Sequence, residues 1–409
     1  MADFPETADV VVIGGGVHGA SLAYHLARKK AGRVVLVEKK FVASGPTGRS
    51  TALVRGFYGM DFFTCTGTAA VSVFRDWEST VGGGDPGFRP VGLVVLAGPD
   101  EAPHLERNAR HAKTLGARVD LISPAEVQAL VPQIATDDVA LASYEAASGY
   151  ADPSSTANAL MSRARELGAT VVQYTRVEAI MTSGARVIGA RTEAGVVSAP
   201  VVAVCAGLWA GRLLAPIGID VSVKPTRHQM CFFRRPPGFA QHPAIIDRPQ
   251  HTYMRPEHGD LMIHGLSTYD EVVDADDYDE GADREEILRN AHLVARRFPI
   301  MENGLSMGGY SGLYDVTPDK QPVLGAIPEY AGLFVDFGWS GHGFKHSPVI
   351  GDILSDVILH GRAPGYDLTP FRWTRFREGD LLPFASWTAP PHPKLRDGVT
   401  APASAKPGA

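Results

Sequence analysis

Two hydrophobic rhythms run along the chain. Four of the five residues Asp9 to Ile13 are apolar, GGGVHG follows, SLAYHLARKK then places apolar residues at helical spacing, and Arg33 to Val37 returns to an apolar run. That order predicts a strand, a turn, a helix and a strand at the start of the chain. Further strands are predicted at 91–97, 170–181, 186–207, 229–234, 260–265 and 332–338. Helices are predicted over APHLERNARHAKTLG, STANALMSRARELG and residues 283–298, where Asp283 and Glu286 have the spacing of a capping box. After Trp387 the chain is rich in Pro and Ala with little apolar bulk, so residues 388–409 read as a disordered tail. No internal repeat is present.

Composition narrows the classes. With 409 residues, 44% of them hydrophobic, the chain exceeds one ordinary compact domain, and two are expected. The first residues lack the features of a signal peptide and no run is long enough to span a membrane, which points to a soluble cytoplasmic protein. Cys65, Cys205 and Cys231 are far apart, so dithiol and zinc chemistry are not expected. The formal charge is −6, but residues 270–286 hold ten acids and one arginine, which leaves the rest about +3. No face for nucleic acid is indicated. The acidic run reads as a solvated loop leading into a helix rather than a cation site.

The glycines of GGGVHG stand at 14, 16 and 19, between a buried strand and a helix. Gly14 would permit the tight turn, Gly16 the approach of backbone to a pyrophosphate, and Gly19 close packing of helix on strand. Glu38, about twenty residues on at the end of the second strand, could accept bonds from ribose hydroxyls. Dinucleotide binding follows, with either a nicotinamide or FAD as the ligand. VGGGDPG (81–87) has no strand before it and no helix after it, so there is a single fingerprint.

Five separated segments resemble the FAD-dependent amine and amino-acid oxidoreductases related to D-amino-acid oxidase, glycine oxidase and monomeric sarcosine oxidase. They are DVVVIGGGVHGASLAYHLA with VVLVEK, SGPTGRSTALVRG (44–56), VVAVCAGLWAG (201–211), GYSGLYDVTPDKQPVLG (309–325) and GWSGHGFKHS (338–347). The resemblance implies a Rossmann-like α/β FAD-binding domain, discontinuous over 1–85, 150–215 and 310–375. A sheet-rich α+β substrate domain would be inserted at 86–149 and 216–309. It also implies that Gly14, Gly16, Val17, His18 and Gly19 hold the pyrophosphate, while Glu38 and Lys39 flank the adenosine. Gly48, Arg49, Ser50 and Thr51 would run along the pyrophosphate and flavin, and Val177 would meet the adenine through its backbone. Ala206, Gly207 and Trp209 would contact the cofactor, and Gly341, His342, Gly343, Phe344 and Lys345 would lie against the flavin ring.

For catalysis the resemblance places a carboxylate-binding pair at Arg55 and Lys345 and a pocket tyrosine at Tyr314. The physics of such a pair agrees, because a guanidinium can hold a carboxylate through two parallel bonds and an ammonium adds a point charge. Tyr253 and His264, on predicted substrate-domain strands, are expected to roof the flavin. His342 and His346 stand four apart, but no carboxylate completes a metal site and no metal is expected. Two departures from the sarcosine oxidase pattern stand out. Gly312 replaces the cysteine that would attach FAD, which implies noncovalent cofactor. No lysine occurs between Pro225 and Asp319, where those enzymes keep one for oxygen.

The expected activity is oxidation of the C–N bond of a small amino acid, with a secondary, sarcosine-like amine favoured, giving an imine that water hydrolyses. Oxygen or another acceptor would reoxidise the flavin. A D-amino-acid or opine dehydrogenase, a subunit of a sarcosine-oxidase-like complex, and a flavoprotein without its own substrate remain as alternatives.

Overall fold

The computed structural model describes residues 4–267 and 271–383; the expected tail lies outside them. The run Val10–Ile13 is buried at every position, as a strand covered on both faces must be. It is central in a six-stranded sheet ordered 323–326, 333–337, 201–204, 10–13, 34–37, 170–172. All neighbours are parallel except the outermost antiparallel pair Val323–Ala326 and Leu333–Phe337. One face packs on helices Val17–Arg28, Asp61–Arg75, Pro153–Glu166 and Ser347–His360. The other packs on a three-stranded antiparallel sheet, residues 177–198, and the helix Ala210–Leu214.

The second sheet has nine strands. Within it Lys224–Arg234 pairs antiparallel with Leu261–Leu266 and with Leu305–Val316. Alternation sorts its side chains: Val94 and Leu96 join one core with Val294 and Phe298, whereas Leu93 and Val95 join another with Leu105 and Ala109.

The predicted helices form at Ala102–Thr114, Pro153–Glu166 and Arg284–Arg297. The predicted strand 170–181 is divided. Thr170–Val172 belongs to the first sheet and Val177–Ser183 to the small one, separated by a turn in which Tyr174 takes φ +54° and donates its N–H to the Lys40 carbonyl. Residues 186–207 divide likewise into three strands, of which only Val201–Val204 enters the first sheet. The expected boundary at 310 falls inside Leu305–Val316, a strand of the second sheet, and the chain re-enters the first sheet only at Val323.

Candidate active site

At the nucleotide end, Val10–Ile13 runs into Gly14 at φ +110°. A Cβ on Gly14 would lie 2.5 Å from the Cys205 carbonyl oxygen, and one on Gly19 would overlap the Gly14 carbonyl oxygen. These two glycines let the first helix sit directly on the sheet. Gly16 is the N-cap of that helix, with no side-chain cap and no acid in the first turn, so its positive end is left to attract an anion. The buried Glu38 carboxylate accepts from Gly15 N–H at 2.6 Å and Lys40 N–H at 2.8 Å, which puts it beside the glycine turn.

Thr47 Oγ1 accepts from Val17 N–H at 3.1 Å, seating the turn Pro46–Arg49, and with it Gly48, on the same helix end. Beyond it Ser50 Oγ accepts from Ala52 N–H, and the Thr51 carbonyl accepts from Arg255 Nε. Thr175 N–H donates to the Glu38 carbonyl, bringing Val177 alongside, and Ala206 and Gly207 follow the strand Val201–Val204. The helix end, the carboxylate and the glycine cradle fit a dinucleotide's pyrophosphate and ribose.

The described acids of the run, 271–283, are exposed and lead into the helix Arg284–Arg297 as expected, but several of them are paired. Asp276 pairs with Lys39 at 3.2 Å and with Arg212, and accepts from Trp209 Nε1 at 2.8 Å. Lys39 Nζ lies 3.3 Å from the centroid of the Trp209 ring. Glu280 pairs with Arg49 at 2.6 Å, and Ala275 is buried against Leu208 and Leu313. The side chains of Lys39, Arg49 and Trp209, expected to serve the cofactor, are thus engaged by an acidic strap. Asp283 occupies the N-cap of Arg284–Arg297 but makes no capping bond. Its carboxylate takes two bonds from Arg227 instead.

The residues expected at the substrate end, Arg55 and Lys345, gather around Tyr58, which no motif in the sequence singles out. Arg55 Cζ lies 3.8 Å from the Tyr58 ring centroid and Lys345 Nζ 5.9 Å from it. Both cations are buried, Arg55 at 5% exposure and Lys345 at 6%. Among the described residues no carboxylate lies within ion-pairing distance of Lys345; its ammonium donates to the His342 carbonyl at 3.2 Å. Burial, and then the Arg55 charge, hold the Lys345 amine well below its ordinary pKa.

The turn that carries Lys345 is fixed from three sides. His18 bonds Asp336 at 2.9 Å through Nδ1 and the Gly343 carbonyl at 3.2 Å through Nε2, tying it to the first helix. Asp315 accepts from Gly338 and Ser340 N–H, and Ser340 is held at φ +51°. A Cβ on Gly341 would lie 2.8 Å from the Tyr314 ring. The Phe344 side chain points into the core against Phe74, so only its backbone is left for a cofactor.

His346 shares a bond with Thr66 Oγ1, and His342 with the Lys320 carbonyl. Burial pushes the His342 imidazole down to about 3 and His346 well below its usual range. Among the described residues no group of three metal-ligating side chains exists.

Above this cluster, Tyr314 Oη and Tyr253 Oη lie 3.1 Å apart, and Tyr253 Oη is 2.6 Å from His228 Nε2. The His228 ring stacks on Tyr314 at 4.4 Å. His264 does not join them. It pairs with Cys231 and Met254, whereas Tyr253 pairs with Gly265, so the two side chains leave opposite faces of the sheet. His264 is instead buried against helix Arg284–Arg297, bonded to Asn290 at 2.5 Å. His228 takes the place that His264 was expected to hold; it was missed because the strand was expected to begin only at 229, although Gln229 to Arg234 already showed the sheet rhythm.

Comparison with known proteins fits these features. Residues 9–357 match the family described as FAD dependent oxidoreductase (DAO), and the chain belongs to that family. It is 28% identical over 383 residues to mouse mitochondrial sarcosine dehydrogenase, covering 91% of this chain and 42% of that protein. It therefore spans less than half the length of that relative. It is 29% identical to glycine oxidase of Geobacillus kaustophilus, covering 90% of this chain and 97% of that protein. Among solved structures, L-proline dehydrogenase from P. horikoshii superposes with a TM-score of 0.85 at 26% identity, covering 93% of this chain and all of that one. The chain is thus an FAD-dependent oxidoreductase, and among its described residues no helix is long and apolar enough to cross a membrane.

Proposed function

We propose that this enzyme oxidises the C–N bond of a small amino acid, with a secondary or N-substituted amine as the preferred substrate. The observation that carries the reading is the convergence of Arg55 and Lys345 on one buried ring. Two cations out of water repel one another, and an anionic substrate group between them relieves that cost. FAD, when bound, supplies the hydride acceptor. The glycine turn and Glu38 would hold its dinucleotide part, and the 341–345 turn its ring. Noncovalent attachment is the reading supported by Gly312, whose Cβ would meet Arg49 Cβ at 3.0 Å, and by three cysteines buried elsewhere.

The chain's own residues then divide the work. Arg55 and Lys345 bind the carboxylate, and Tyr58 keeps water from it. The substrate amine must lose a proton before its carbon can give up hydride. Tyr253 Oη can take that proton while passing its own to His228 Nε2 across their 2.6 Å contact. The missing lysine between Pro225 and Asp319 favours an acceptor other than oxygen. Anaerobic mixing with N-methyl amino acids, free amino acids and amines lacking a carboxylate tests the reading: bleaching of the flavin by the first group and not the last is expected, and equal bleaching by simple amines would reject it.

A further inference from the structure

One buried acid lies directly behind Arg55 and is not used by the chemistry above. Glu145 ends the strand Leu141–Glu145 of the second sheet and is 3% exposed. Its Oε2 accepts from Gly56 N–H at 2.7 Å, Phe57 N–H at 3.1 Å and Ser148 Oγ at 3.1 Å. Its Oε1 is buried with no hydrogen-bond partner among the described residues. Four residues on, Gly149 pairs with Val54 in a short antiparallel ladder. The segment 145–150 therefore grips the chain on both sides of Arg55, by backbone before it and by carboxylate after it.

The geometry then closes on the guanidinium. Arg55 Nη1 donates to the Phe57 carbonyl at 3.1 Å, and Phe57 is the residue whose N–H Glu145 holds. Gly56 is free of side-chain constraint of its own, and the carboxylate's bonds to the Gly56 and Phe57 amides hold this bend. Burial raises the Glu145 pKa, opposed first by the Gly56 N–H bond and then by the Arg55 charge, so these contacts offset the cost of an ionised acid here.

We infer that Glu145 is a positioning residue for substrate recognition: by fixing the Gly56 and Phe57 amides it sets where Arg55 presents its guanidinium to the substrate's carboxylate. The inference rests on the proposed role of Arg55. An error near 1 Å in such a contact costs affinity steeply.

Three FAD-loaded variants separate position from charge. Glu145→Gln keeps a carbonyl oxygen at the amides and loses the charge, Glu145→Asp keeps the charge and draws the oxygens back, and Glu145→Leu loses both. Acetate binding, read from perturbation of the flavin spectrum, and the dependence of anaerobic reduction on substrate concentration are measured in each. Asp and Leu are expected to weaken acetate and raise KM by about tenfold with a limiting reduction rate within about threefold of the parent, while Gln stays within about threefold throughout. Asp behaving as the parent with Gln impaired, or KM and limiting rate falling together in Gln and Asp alike, would overturn the inference. If Leu does not fold, the Gln and Asp pair alone decides. Should Arg55→Met leave acetate binding unchanged, the carboxylate-clamp reading itself fails; should it weaken acetate while Glu145→Asp does not, only the present inference fails.

Discussion

Arg55 and Lys345, 290 positions apart in the chain, lie against the same aromatic ring, at 3.8 and 5.9 Å from its centroid. They come from distant stretches of the chain, one after the Pro46–Arg49 turn and one after the strand Leu333–Phe337. Neither stretch alone would form the site. Their closeness depresses the Lys345 amine beyond what burial does.

That depression gives a pH signature. An anion between the cations favours protonated Lys345, so binding takes up a proton wherever the free amine has begun to lose it. Affinity for a nonreactive carboxylate should then fall as pH rises through the lowered Lys345 pKa, by up to about tenfold per unit. Titration of acetate from acid to alkaline pH checks this; Lys345→Met should flatten the dependence.

Tyr253 and His228 form the shortest polar contact on the sheet face above the site. Tyr253→Phe removes the shared proton and leaves the ring, so the limiting rate of anaerobic reduction should drop by about 10- to 100-fold with little change in acetate affinity. Rapid-mixing spectroscopy reads both. A rate within twofold of the parent would remove the pair from the chemistry.

Asp276 joins Lys39, Arg212 and Trp209 in one knot. Exposed pairs of this kind contribute up to about 1 kcal/mol each, so Asp276→Ala should speed FAD release by up to about tenfold. Recovery of flavin fluorescence on dilution measures it. The parent should also release FAD faster at high salt, which screens these pairs.

Burial against Asn290 pushes the His264 imidazole down to about 4, against 6.5 when unfolded, with burial the dominant cause and the Asn290 bond opposing it. Between those values the unfolded chain binds a proton that the folded one refuses. Stability is therefore full above pH 6.5 and falls toward pH 4, on the order of 3 kcal/mol from this residue. His264→Asn should lessen the slope of denaturation free energy against pH by about one proton, with steady-state kinetics near neutrality unchanged.

What the chain disclosed in advance followed from how local each signal is. The first strand, glycine turn and helix are contiguous, and Gly14 and Gly19 are set by the Cys205 strand end and by each other. Tyr253 and His264 were inseparable, because which face a strand residue takes depends on pairing register, which the sequence does not display. The helix Asp61–Arg75 was missed: its Thr, Val and Gly residues weaken the helical signal, and burial supplies what propensity lacks. The pairing of the exposed acidic strap was hidden because its partners lie far off, Arg212 at 64 positions and Lys39 at 237. Tyr58 and Glu145 carried no motif at all; only the assembled fold shows what they touch.

The carboxylate clamp is tested most directly by acetate binding to FAD-loaded Arg55→Met and Lys345→Met, set beside their flavin content. Each substitution should weaken acetate by at least about tenfold, the usual cost of removing a charged partner, with flavin content unchanged. Acetate affinity equal to the parent's in both variants would contradict the account.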